Sequence, residues 1–168
     1  IDKLNENFTL TTKPSDHNEN ASGFIGQYAH GNEPSHHTAY LYNFAHQPWR
    51  TQELVNEIRS KFYNDKPYGY AGNDDCGQMS AWYIFSSLGF YPFNAGSNDF
   101  VIGTPLFSES TINLPNGKTF TIKAPRKSDT AIYVKSVKLN GKPLKSLNLT
   151  QKDIIDGGVL EFKMSDKK

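Results

Sequence analysis

The chain has 168 residues, of which 36% are hydrophobic and 21% charged, and its formal net charge is +1. That composition belongs to an ordinary soluble protein, long enough for one domain with a real core or for two small ones. It leaves no room for a membrane helix, since no apolar run approaches the roughly 20 residues a span requires. The single cysteine, Cys76, excludes an internal disulfide and argues against a thiolate zinc centre.

Residues 1–22 are polar, with Pro14 in their midst and no sustained apolar period, and read as loop. The amino terminus lacks the basic and apolar regions of a signal peptide, and a start at Ile rather than Met reads as a piece of a longer protein. Gly23 to His37 packs three glycines, three histidines, an acid and two amides into a short span, as in a loop that lines a site. Ser35 to Ala45 has a helical look with Ser35 as its cap, and Thr51 is placed to cap a second helix carrying Leu54, Ile58 and Phe62 at four-residue spacing. After the loop Asp65–Asn73, Cys76 to Leu88 reads as a third helix stopped by Gly89, with Cys76 expected to be buried and inert in its first turn.

From Tyr91 the period changes to alternation. Strands are expected at Asn98–Gly103, at Thr111–Leu114 and Thr119–Lys123 around a Pro115–Lys118 turn, at Ile132–Leu139 before an Asn140-Gly141 turn, and at Val159–Met164. The fold class is therefore α+β, with helices first and a small antiparallel sheet or sandwich after them; the boundary is drawn between residues 1–91 and 92–168. Charge divides at the same place, with 6 Lys/Arg against 10 Asp/Glu before it and 12 against 7 after it. An acidic first part suits a cation or a neutral polar ligand. The lysines of the second part follow strand alternation instead of clustering, which argues against nucleic acid as a partner.

The most chemically loaded stretch is Gly72-Asn73-Asp74-Asp75-Cys76-Gly77-Gln78, two adjacent carboxylates at the entry to a helix. Asp is a favoured N-cap and its charge is stabilised by the helix dipole, so the plain reading is that the acids cap and solubilise that end. His30, His36 and His37 invite a zinc site, but adjacent histidines on a helix diverge and no H-E-x-x-H or Cys-His spacing is present. Asn32, Glu33, Asn73, Asp74 and Asp75 form an oxygen-rich set of the kind a hard cation such as calcium takes. Acids beside Tyr28, Tyr68, Tyr70, Trp49 and Trp82 also suit a carbohydrate site, with the rings as platforms for sugar faces; Trp82 and Tyr83, inside a helical pattern, read as core.

Four motifs in order, Gly31-Asn32-Glu33-Pro34-Ser35-His36-His37 with Tyr40-Leu41-Tyr42-Asn43, Pro48-Trp49-Arg50-Thr51-Gln52, Gly72 to Trp82, and Leu88-Gly89-Phe90-Tyr91-Pro92, resemble glycoside hydrolase family 92. The resemblance is close over residues 23–108 and general elsewhere. It implies the carboxy-terminal end of a longer calcium-dependent, inverting, exo-acting α-mannosidase of the secreted or periplasmic bacterial type. Residues 1–91 would then be the last helices of an (α/α)6 barrel. An inverting pair of carboxyls stands about 6.5–9.5 Å apart, so adjacent Asp74 and Asp75 are not obviously the acid and base.

By resemblance Asp75 matches the base. Many relatives carry Asp-x-Asp where this chain has Asn73-Asp74-Asp75, which strengthens Asp75. The family's general acid lies in a Glu-Gly-x-x-Trp-Gln-Tyr motif that these 168 residues lack, so the piece alone is expected to be inactive. The resemblance puts Asn32 and Glu33 in the pocket near calcium or the sugar hydroxyls. We accordingly expect Asn32, Glu33 and Asp75 at the metal, and Glu33, His36, His37, Trp49 and Asp74 at the substrate, a mannose-containing glycan with α-1,2 linkage the expected preference. The partner would be the rest of the parent chain, with copies of the piece associating through helix faces that the cut barrel leaves bare. The rival expectation is a noncatalytic carbohydrate-binding or structural β module for which residues 23–91 are only a helical linker.

Overall fold

The computed structural model describes residues 1–11, 21–144 and 146–168. Its helices are α1 (Asp2–Thr9), α2 (Leu41–Phe44), α3 (Pro48–Phe62), α4 (Gln78–Leu88) and α5 (Gln151–Ile155). Two strands form an amino-terminal hairpin, β1 (Phe24–Ile25) and β2 (Tyr28–Ala29). A three-stranded sheet has the order β3 (Phe90–Tyr91), β4 (Asp99–Ile102), β9 (Asn148–Thr150). A five-stranded sheet has the order β5 (Glu109–Asn113), β6 (Thr119–Lys123), β10 (Gly158–Ser165), β7 (Tyr133–Leu139), β8 (Lys142–Pro143).

The mixed α+β class is as expected, and several elements correct the sequence reading. Residues 2–9 are helix, not loop: Leu4 and Phe8 are four apart, and Phe8 buries its ring 4.9 Å from Tyr28 and 6.1 Å from Tyr42. Tertiary contact supplies what this polar, uncapped segment lacks in pattern. The remainder of the expected loop, 12–20, lies outside the described residues. Ser35 to Ala45 is not one helix but two 3-10 turns, Glu33–Ser35 and Thr38–Tyr40, followed by the single turn α2. The Ser35 hydroxyl turns back to the carbonyls of Ala29 and Asn32, a local bond that competes with helix formation.

Helix α3 begins at Pro48, whose missing N–H costs nothing at a first helical position. Thr51 is thus no cap; it is buried and its Oγ1 donates to the Ala39 carbonyl at 2.9 Å. Of the predicted stripe, Leu54 and Ile58 are fully buried and Phe62 is partly buried, and Val55 joins them. The expected antiparallel sheet contains one parallel pair, because β10 inserts between β6 and β7, running with the former and against the latter. The Asn140-Gly141 turn has φ of 50° and 77°, the left-handed pair a two-residue hairpin requires.

Two apolar clusters carry the packing. One joins Phe8, Tyr28, Tyr40, Tyr42, Leu54, Ile58 and Trp82; the other joins Phe90, Phe120, Ile122, Leu149, Leu160 and Phe162, and Phe85 packs against both. Residues 23–91 therefore supply most of the first cluster, which a mere linker would not. The two parts are also tied by polar contacts. Arg59 of α3, 4% exposed, donates through Nη1 to the carbonyls of Ser86 and Thr104, both at 2.8 Å. Burial pulls its guanidinium down to about 10. Gln52 accepts from the Val134 amide, and Asn43 donates to the Ile102 carbonyl.

Candidate active site

The loops that carry the acids meet at two glycines. A Cβ on Gly72, where φ is +79°, would lie 2.7 Å from the Gly31 carbonyl oxygen; one on Gly31 would lie 3.2 Å from the Ala71 carbonyl and closer still to the Ser22 hydroxyl. The backbones can touch only because neither has a side chain, and the contact sets Asn32-Glu33 against Asn73-Asp74-Asp75. Gly72→Ala is expected to cost about 2 kcal/mol, from the left-handed backbone and the backbone clash together. Chemical denaturation of the variant measures it, and an unchanged midpoint would show the seam to be dispensable.

Across this seam the Glu33 and Asp75 side chains come within hydrogen-bonding reach. The Asp75 carboxyl is raised above its ordinary range, first by that bond, then by the charge of Glu33. Glu33 Oε1 is buried and has no hydrogen-bond partner among the described residues. Two facing carboxylates with a buried bare oxygen call for a proton or a cation between them.

Asp75, Cys76 and Gly77 have φ of 44°, 59° and 88°, three left-handed residues in succession, two of them carrying a Cβ. Such a turn persists only when its surroundings impose it. Asp74 supplies the restraint. Its Oδ1 accepts from the Ser80 amide and the Ser80 hydroxyl, both at 2.9 Å, and its carbonyl accepts from the Met79 amide. The expected capping by a carboxylate is thus real but reaches across the turn: the formal N-cap is Gly77, which has no side chain to offer, and α4 starts at Gln78, two residues later than expected. Cys76 is correspondingly exposed and precedes the helix, not buried in its first turn. Gly89 ends α4 at φ 96°, as expected.

The three histidines do not converge on a common point: His30 and His36 stack on each other, and His37 stands apart. His30 is fully buried between the hydroxyls of Tyr28 (2.8 Å to Nδ1) and Tyr63 (2.7 Å to Nε2), stacked on His36 at 4.8 Å and edge-on to Trp82 at 4.4 Å. Burial, then the neighbouring His36, lower it to about 3. His36 is 1% exposed; its Nε2–H donates to the His30 carbonyl, its Nδ1 faces the Gln78 amide at 3.2 Å, and its own carbonyl accepts from Trp82 Nε1. Both ring nitrogens are thus spent on protein, and burial lowers its pKa too.

His37 is exposed, its ring T-shaped to Phe93 with centroids 5.7 Å apart. Trp49 stands 36% exposed on the first turn of α3 and is joined to the acidic pair by no hydrogen bond or ring contact among the described residues. Trp82 is fully buried, as its helical position predicts. Gln78 was not singled out from sequence. Its spacing of four from Trp82 puts both on the face of α4 that grips His36, and that spacing was the available signal.

Comparison with known proteins places this arrangement. The family described as the glycosyl hydrolase family 92 catalytic domain matches residues 1–166. The chain belongs to glycosyl hydrolase family 92. The family match runs unbroken across residues 91 and 92. Of this family 92 chain, 99% superposes on 22% of an α-mannosidase of the family from Bacteroides thetaiotaomicron, solved in complex with mannoimidazole, with 44% identity and a TM-score of 0.92. An inverting family 92 mannosidase of the same bacterium matches 99% of the chain over 24% of its own length, with 36% identity and a TM-score of 0.82. An uncharacterized secreted glycosidase of Arthroderma benhamiae is 30% identical over 141 residues, 82% of this chain and 18% of that protein. The chain thus spans about a fifth of the length of these relatives.

Proposed function

We propose that this family 92 chain is the carboxy-terminal part of an inverting, calcium-dependent, exo-acting α-mannosidase that removes mannose, with α-1,2 preference, from glycans. The observation that carries the reading is the pair of carboxylates, Glu33 and Asp75, brought face to face by the Gly31–Gly72 contact with one Glu33 oxygen buried and unpartnered. Family relatives named as α-mannosidases, one holding mannoimidazole, support the substrate class.

The oxygen set of the pair, with Asn32 adjoining it, fits a hard cation, which prefers carboxylate and amide oxygens. Among the described residues no three His, Cys, Asp or Glu side chains gather for a metal, so in this reading two carboxylates and an amide supply part of the shell. Bound there, calcium would add electrostatic stabilisation for a sugar ring distorted toward an oxocarbenium-like transition state. Asp75 takes the proton of the attacking water, and the Asp74–Ser80 bonds hold the strained turn that presents it. Glu33 binds a sugar hydroxyl, while His37 and Trp49 line the outer part of the pocket. Buried His36, gripped by Gln78, braces the Glu33 loop from behind. The bonds of Asp74 Oδ1 to Ser80 leave Oδ2 as its contact to substrate.

Glu33 is too close to Asp75 to be the acid of an inverting pair, whose members stand about 6.5–9.5 Å apart. The acid therefore lies in the parent enzyme outside these 168 residues. In this reading residues 1–91 close the helical catalytic domain and 92–168 form a β domain, with Val101 packed into the first apolar cluster and Phe90 into the second across that boundary. Upstream helices cover the exposed Ile84 and the cleft of about 450 Å³ beside it, lined by Tyr63, Tyr70 and Tyr83; without them, copies of the piece associate there. The secreted relative supports a periplasmic or extracellular location. No described helix is long and apolar enough to cross a membrane.

The test is direct. The parent enzyme should release β-mannose first from an aryl α-mannoside, as followed by NMR, lose activity to a chelator and regain it with calcium. The 168-residue chain alone should release none. Initial release of α-mannose, or turnover by the short chain that Asp75→Asn abolishes, would overturn the reading.

A further inference from the structure

The wet face of the five-stranded sheet carries a row of alternating charge. Register sets Glu109 opposite Lys123, Lys123 opposite Glu161, and Glu161 opposite Lys138, across four strands. Opposite charges facing each other across strands satisfy one another, so this row is balanced within itself. Beside it the face becomes concave: a cleft of about 610 Å³ opens between the segment 125–131 and the end of β10.

The charges left to that cleft are Arg126, Lys127 and Lys163 against Asp166, and Asp129 of the bounding segment acts on Arg126 as well, which leaves an excess of one positive charge. Ser136 lies directly opposite Lys163 and adds a hydroxyl to the same wall. The Arg126 guanidinium is fixed by a bond from Nη2 to the Pro105 carbonyl at 2.6 Å, while its buried Nε has no acceptor among the described residues. Partial burial lowers the Arg126 pKa and the Asp129 charge only partly opposes it, so a desolvation cost remains that an anion would offset. A positioned guanidinium with donors unspent, two mobile ammonium groups and a hydroxyl make a set suited to a compact oxyanion.

We propose that this cleft binds a phosphate or sulfate group, either free or esterified to a sugar. The proposal does not depend on the mannosidase reading; only the sugar-borne form of the anion would link the two.

The experiment is an NMR titration of the ¹⁵N-labelled protein at low ionic strength with inorganic phosphate, inorganic sulfate, mannose 6-phosphate and uncharged mannose. Saturable shifts confined to residues 125–131 and 163–166 are expected with the three anions and absent with mannose. Lys127→Ala and Lys163→Ala, both at exposed positions, should each weaken binding about tenfold without altering the melting temperature, and added NaCl should weaken it further. Tighter binding of mannose 6-phosphate than of phosphate would make the natural ligand sugar-borne, and equal binding would make it the free anion; either supports the site. No saturation below about 10 mM anion, shifts spread evenly over the surface lysines, or unchanged affinity in the double lysine variant would overturn it.

Discussion

With calcium saturating, Asp75→Asn in the parent enzyme is expected to lower kcat by about 10³-fold, within the range general-base catalysis contributes, while KM changes little. The amide keeps the size of the carboxylate but has no basic oxygen to take a proton from water. The fold should not pay for the change. Asn tolerates a left-handed backbone as readily as Asp, so the φ of 44° at this position is no obstacle. Removing the charge also ends the repulsion from Glu33, which after the hydrogen bond between them is what raises the Asp75 pKa. Steady-state kinetics with a matched thermal melt separates the two effects: lost turnover with unchanged or slightly improved stability is the expected pattern. An Asn variant with full kcat would remove Asp75 from the base role.

The second large effect concerns acid. His30 has a folded pKa of about 3 because it is enclosed by Tyr28, Tyr63, His36 and Trp82. In the unfolded chain it returns to its ordinary value of 6.5. Between those values the unfolded state binds a proton that the folded state refuses, so stability falls as the pH drops from 6.5 toward 3. His36, also lowered by burial, adds in the same direction. The loss from His30 should be on the order of 3 kcal/mol between pH 7 and 4. Asp75 acts with the opposite sign, since a raised carboxyl gains relief as pH falls, but it is solvent-exposed and its part is small. Urea unfolding at pH 7, 5 and 4 measures the slope. His30→Gln, which cannot charge, should flatten it, and an equally steep slope in that variant would assign acid lability elsewhere.

What the sequence could say about this chain depended on whether the cause was local. The stripe Leu54, Ile58, Phe62 and the Gly89 stop are local signals, and α3 and α4 follow from them. The Asn140-Gly141 hairpin is legible for the same reason. Helix α1 is not, because Phe8 earns its place from Tyr28 and Tyr42, which are distant in sequence. Nor is the insertion of β10 beside β6, which alternation cannot specify. Family motifs brought Glu33 and Asp75 together as candidates, but the cause of their meeting, two glycines 41 positions apart with backbones in contact, has no sequence period. Asp74 belongs to the helix start, as its sequence position implies, but it is no ordinary cap, since its partner is Ser80 across a left-handed turn.

Arg59 bears on how such a chain can evolve. Its one nitrogen holds a carbonyl from α4 and another from the strand-rich part, on either side of residue 91. A substitution there would strand two buried carbonyls at once. The change from helices to strands is therefore a change of architecture and not a line of weakness. Exchanging the sheet for another module at that point would leave the guanidinium without the Thr104 carbonyl it holds.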